Sequence, residues 1–113
     1  MLTYYKTADR PALKLWLLDD DGTLIDFSPG GYTYQLKIGV IGATALVTKT
    51  TNIAGAAGSG VEPTGVPNVV VTWTAGELAV LSGATIYSWQ LTATITALDR
   101  VFADRIQILD TIT

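Results

Sequence analysis

The chain has 113 residues, 49% of them hydrophobic and 15% charged, with a formal net charge of −3. That is enough apolar material for one modest core and argues against intrinsic disorder. With no Cys and no His, thiol nucleophiles, disulfides, His-based triads and the usual zinc sites are excluded, and the scattered Lys and Arg leave no footprint for nucleic acid. No apolar run approaches the roughly 18 residues that span a membrane. The N-terminus carries no signal-peptide pattern, and Met1, the single Met, reads as a translation start. So sparse a surface charge predicts an exterior partly covered by partners.

Period-two alternation dominates the chain and predicts half-buried antiparallel strands. After a short N-terminal arm, residues 13–18 form the first strand, with Leu13, Leu15 and Leu17 facing the core and Trp16 and Leu18 facing away. Asp20-Asp21-Gly22 closes a hairpin, with Gly22 at positive φ, onto a second strand over 23–27. Ser28-Pro29-Gly30-Gly31 turns the chain into a third strand over 32–41, and a fourth follows over 45–51. Residues 52–67 carry four glycines and two prolines, and predict a long hairpin tip or an arm that orders against a neighbour.

Val69, Val71 and Trp73 mark a fifth strand over 68–74. Thr74 as N-cap with Glu77 three residues on predicts a capping box and one or two helical turns over 75–81, stopped by Gly83. The sixth strand, over 85–96, puts Tyr87, Trp89 and Leu91 on the core and a polar row, Thr92, Thr94 and Thr96, outside. Ala97-Leu98-Asp99 turns into the last strand over 100–109, where Asp104 interrupts the inward parity and predicts a bulge or an edge. The expected fold is all-β: a single-domain antiparallel Ig-like sandwich of about seven strands spanning residues 1–113.

Two sharp motifs compete with this reading. Leu15–Asp26 resembles the nucleophile loop of haloacid-dehalogenase-type phosphohydrolases, in which Asp19 would attack phosphorus, Asp21 would serve as acid and base, and the Thr23 carbonyl would help hold Mg²⁺. That family implies a parallel sheet with crossover helices, and no amphipathic helix follows here. Its phosphate-neutralising Lys would fall to Lys37 or Lys49, both in strand patterns. Asp19, Asp20, Asp21 and Asp26 also lack the spacing and distal Glu of a calcium loop. The sequence therefore predicts a solvated acidic turn, no catalytic residue, no metal and no cofactor.

The resemblance spanning most of the chain is to small Ig-like domains of tailed-bacteriophage virions, particularly the N-terminal domain of baseplate upper proteins. The matching residues are Asp9-Arg10-Pro11, the 13–18 strand, Asp20 through Phe27, and residues 32–38. Later come Trp73-Thr74-Ala75-Gly76-Glu77-Leu78, Gly83-Ala84-Thr85-Ile86-Tyr87 and Arg105-Ile106-Gln107-Ile108-Leu109. The 52–67 segment is longer than that pattern, and baseplate upper proteins continue into further domains where this chain is expected to stand alone.

The resemblance implies a non-enzymatic virion component of tail or baseplate type, with a capsid or neck decoration protein as the alternative. Its partners would be other virion proteins and copies of itself, with a host-surface glycan as a further candidate and neither nucleic acid nor membrane. The candidate interface residues are Tyr4, Tyr5, Trp16, Leu18, Ile53, Val61 and Val66. A carbohydrate-binding module would need a row of exposed aromatics, and Trp73 and Trp89 both have core parity.

Overall fold

The structure, a computed structural model, describes residues 2–6, 11–83 and 85–110. They form eight strands: β1 (Leu2–Lys6), β2 (Leu13–Leu15), β3 (Thr33–Gly39), β4 (Val47–Lys49), β5 (Ile53–Gly55), β6 (Val69–Val71), β7 (Thr85–Ile95) and β8 (Leu98–Asp110). A five-stranded sheet runs β1-β8-β7-β3-β4 and a three-stranded sheet runs β2-β6-β5. The fold is all-β and sandwich-like, with no helix among the described residues.

Alternation places the core. Tyr87, Trp89, Leu91 and Ala93 point inward from β7, and their antiparallel partners Ile38, Leu36 and Tyr34 on β3 stand opposite Trp89, Leu91 and Ala93. Ile106 and Ile108 extend this inner face across β8. Leu13 and Leu15 on β2 and Val69 and Val71 on β6 supply the facing layer. Each aliphatic side chain so enclosed contributes roughly 1.5–3 kcal/mol through removal from water.

The N-terminal arm is a strand, which alternation alone did not announce. β1 lies parallel to the last strand, Leu2 opposite Ile106 and Tyr4 opposite Ile108. Tyr4 is buried, its ring edge-on to Trp73 at 6.2 Å, and its hydroxyl donates to the Pro11 carbonyl at 2.6 Å.

Several expected elements differ. The first strand stops at Leu15, and residues 23–27 form no strand; one bridge, Leu18 to Leu24, marks the hairpin. The reason is Asn68, wholly buried, whose side chain takes over the ladder. Its Oδ1 accepts from Leu17 N–H at 2.8 Å, and its Nδ2 donates to the carbonyls of Leu17 (2.8 Å) and Ile25 (2.9 Å). The Leu17 N–H and the Ile25 carbonyl, which have no backbone partner among the described residues, are thereby satisfied, and the Leu17 carbonyl, which also accepts from Ile25 N–H at 3.1 Å, gains a second donor.

Residues 75–81 form a run of hydrogen-bonded turns in place of the expected helical turn, because Gly76 sits at φ 86°, outside the helical region. Glu77 does reach back to the Thr74 N–H at 2.6 Å, as a capping box would have it. The 52–67 segment is not featureless: it supplies β5 and a small hairpin in which Ser59 and Val66 exchange backbone hydrogen bonds. Gly55 is required there, since a Cβ would collide with the Tyr34 hydroxyl and Phe27.

The final turn falls one residue earlier than expected, at Thr96-Ala97, with φ of 51° and 61°. β8 then pairs with β7 without interruption from Leu98 to Ile108, so Asp104 causes no bulge. It does lie on an edge: among the described residues, β1 covers β8 only from Ile106 onward.

Candidate functional site

The acidic turn is folded on itself. Asp19 N–H donates to the Thr23 carbonyl at 2.8 Å and Gly22 N–H to the Asp19 carbonyl at 2.9 Å, with Gly22 at φ 85°. The Asp19 carboxylate accepts from Asp20 N–H at 2.9 Å and from the Arg100 guanidinium at 2.9 Å. The Asp21 carboxylate accepts from the Thr23 hydroxyl at 2.6 Å and its N–H at 3.0 Å, and these bonds hold its pKa below the ordinary value. Ser28 lowers that of Asp26 in the same way. The carboxylates thus face separate local donors and share no common centre. No group of three or more metal-ligating side chains occurs among the described residues.

Lys49 has a structural position. Inward parity takes it into the core, where its ammonium meets both Glu77 oxygens at 2.7 and 2.8 Å and lies 5.5 Å from the Trp73 ring centroid. The Lys49 bond, with those from Thr74, holds the Glu77 carboxyl down at about 2. The pair ties β4 to the 74–81 turns.

The candidate interface residues do not gather into one patch. Tyr4 is a core residue, which corrects its assignment to an interface. Tyr5, its neighbour, points outward and is 53% exposed. Leu18 is exposed beside the acidic turn, and Trp16 is half-buried with an indole N–H that finds no acceptor. Ile53 packs partly against the core from β5. Val61 and Val66 are exposed on the small 59–66 hairpin.

A surface the sequence reading passed over is more concave. On the outer face of the larger sheet, a hollow of about 710 Å³ is lined by Lys37 and Gly39 of β3, Thr48 of β4, Ser88 and Gln90 of β7, and Ala103 and Arg105 of β8. Gly39, Ser88 and Ala103 are small, which opens the floor. The β3–β4 loop walls it with Val40 and Ile41, the latter 82% exposed, and a smaller hollow beside it adds Ile86. Lys37 and Arg105 bring positive charge, and Asp104 negative charge, to a hollow with an apolar rim. The sequence did carry a signal, since Ile86 is apolar at an outward parity; Val40 and Ile41, expected as the end of the third strand, lie instead in the loop after Gly39.

Elsewhere, Phe27 stands edge-on to Tyr32, Tyr34 and Phe102 at 5.2, 6.0 and 6.3 Å, and Tyr32 stacks on Tyr34 at 6.1 Å. Burial, and secondarily Tyr32, raises the Tyr34 pKa. Trp73 and Trp89 are buried, leaving no exposed tryptophan row among the described residues. Comparison with family models, curated proteins and solved structures found no match to this chain.

Proposed function

We propose that this protein is a non-enzymatic structural component of a tailed-bacteriophage particle, an Ig-like domain that works by docking to neighbouring proteins. The observation that carries the docking part is the outer face of the larger sheet, where exposed Val40 and Ile41 rim a hollow and exposed Ile86 lines a smaller one beside it, on a domain with few charges. Apolar groups so placed gain when a partner removes them from water. The phage part rests on the sequence resemblance, from Asp20-Asp21-Gly22-Thr23 through Trp73-Thr74-Ala75-Gly76-Glu77-Leu78 to residues 105–109.

The Ig-like reading is supported by strand order. In an Ig variable-type sandwich one sheet carries strands G, F, C and C′ and the other includes B, E and D. Here β8-β7-β3-β4 and β2-β6-β5 follow those orders, with β1 beside the last strand. The chain departs from antibody domains in having no inter-sheet disulfide. A non-enzymatic role is supported by Asp19 and Asp21, whose carboxylates are occupied by Arg100 and Thr23.

Mass spectrometry of particles purified from cells encoding this chain tests the reading. It expects peptides of this protein at the abundance of other structural components. Recovery only from the soluble cell fraction, or Mg²⁺-dependent phosphate-ester turnover abolished by Asp19→Asn, would overturn it.

A further inference from the structure

β1 pairs with β8 only over Ile106–Asp110, and among the described residues no strand covers the stretch from Leu98 to Arg105 on that side. An edge of this length, carrying Leu98 at 70% exposure and an exposed Val101, is a template for another strand. Its sequence says which strand. In Asp99-Arg100-Val101-Phe102-Ala103-Asp104-Arg105 the charges are arranged as opposites about Phe102. We propose that a second copy of this chain pairs antiparallel along this edge, about a two-fold axis through Phe102.

In that register Asp99 stands opposite Arg105 of the second copy, Arg100 opposite Asp104, Val101 opposite Ala103, and Phe102 opposite itself. Residues directly opposite in an antiparallel pair project to the same face, so every charge meets its opposite. The interface is isologous, as a two-fold dimer requires.

Backbone polarity agrees. A two-residue hairpin closes on a hydrogen-bonded pair, here Ile95 and Leu98, so even-numbered residues of β8 bond to β7 and odd-numbered ones turn their N–H and C=O outward. In the proposed register the outward residues meet each other: 99 with 105, and 101 with 103. Each such pair exchanges two backbone hydrogen bonds.

The arrangement also bounds itself. The row beyond Arg105 is where Leu2 begins, so each β1 ends the pairing of the other copy's strand. Two five-stranded sheets become one continuous sheet. Arg100 retains donors beyond the one given to Asp19, and Asp99 a carboxylate oxygen beyond the one accepting from Thr94.

The dimer deepens the docking reading by naming a second copy as one partner, and it is tested separately from the particle assignment. Sedimentation equilibrium of the wild type should show a reversible dimer weakened by salt. Asp99→Arg and Arg105→Asp should each raise its dissociation constant by about tenfold or more, since each sets like charges opposite one another. An equimolar mixture of the two variants should recover a dimer, because the altered pairs then attract.

Val101→Pro removes one outward N–H without touching the bonds to β7. It should give a monomer with an unchanged circular-dichroism spectrum, and it decides the matter should a charge variant fail to fold. A wild type that stays monomeric at every concentration, a dimer indifferent to Val101→Pro, or a mixture that does not recover would overturn the pairing. A monomer found in purified particles would overturn it while leaving the particle reading standing.

Discussion

β7 and β8 pair without a break from Ile95 and Leu98 to Thr85 and Ile108, whereas β2, β5 and β6 supply three residues each. The larger sheet is held by its own backbone ladder, with alternating side chains filling the core beneath it. The smaller sheet is too short for that, and the chain beside it over 16–27 has almost no ladder at all. There Ile25 N–H donates to the Leu17 carbonyl, and the Asn68 side chain supplies the remaining bonds to Leu17 and Ile25. One sheet is specified by a pattern repeated many times, whereas the hairpin beside the other leans on a single side chain. The two should therefore differ in their response to mutation.

The largest expected effect falls on that residue. Asn68→Leu keeps the branching and the number of side-chain heavy atoms and strands two buried backbone groups, the Leu17 N–H and the Ile25 carbonyl, each costing about 1–3 kcal/mol when unsatisfied. Urea denaturation should show a loss of roughly 4 kcal/mol, a large share of a small domain's stability. On the larger sheet, Gln90→Ala on the exposed face should change stability by about 0.5 kcal/mol or less. Equal losses at the two sites would break the comparison.

The Lys49–Glu77 pair comes next. Glu77→Gln leaves the buried Lys49 ammonium without its counter-charge, and thermal melts should show a loss of about 2 kcal/mol, reduced from a fully buried pair because Glu77 is partly exposed. The pH dependence has a definite sign. The folded pKa of Glu77, about 2, lies below its ordinary 4.5, so the folded state favours the carboxylate. The contribution is complete above 4.5 and is lost as pH falls toward 2. Wild-type stability should fall across that window more steeply than that of Glu77→Gln.

The smallest effect sharpens the comparison from the other side. Thr96 and Ala97 both hold positive φ, which costs a β-branched residue most. Replacing them by Asn and Gly, the residues this turn geometry favours, should raise the melting temperature through a gain of about 1 kcal/mol. No gain would mean that the long hairpin carries no strain at its tip.

What could be read from the sequence follows the same division. β3 and β7 alternate cleanly, so their positions, faces and inward Trp89 and Leu91 were legible. β8 was legible too: Asp104, expected to mark a bulge or an edge, is an exposed residue on the edge of an unbroken strand. The 23–27 strand was not correctly readable, because its apolar alternation is real but its bonds are divided among Asp19, Leu17, Ala56 and the Asn68 side chain, 43 residues from Ile25. Asn68 reads locally as a turn residue, and nothing in its neighbours reveals its burial.

Lys49 had a signal, since it shares parity with Val47 and would otherwise break the inward row. β1 is only five residues long and pairs in parallel with the far end of the chain, which no local pattern encodes. The hollow on the outer face depends on Gly39, Ser88 and Ala103 coming together from three strands, so only registration reveals it.

Native-state amide hydrogen exchange, residue by residue, is the most direct test of the contrast between the sheets. Amides of β7 and β8 that face each other should exchange only through global unfolding, while the Leu17 amide, which donates to the Asn68 side chain, should open locally at lower free energy and lose most of its protection in Asn68→Leu. Equal protection across both regions in the wild type, or an unchanged Leu17 amide in the variant, would contradict the account.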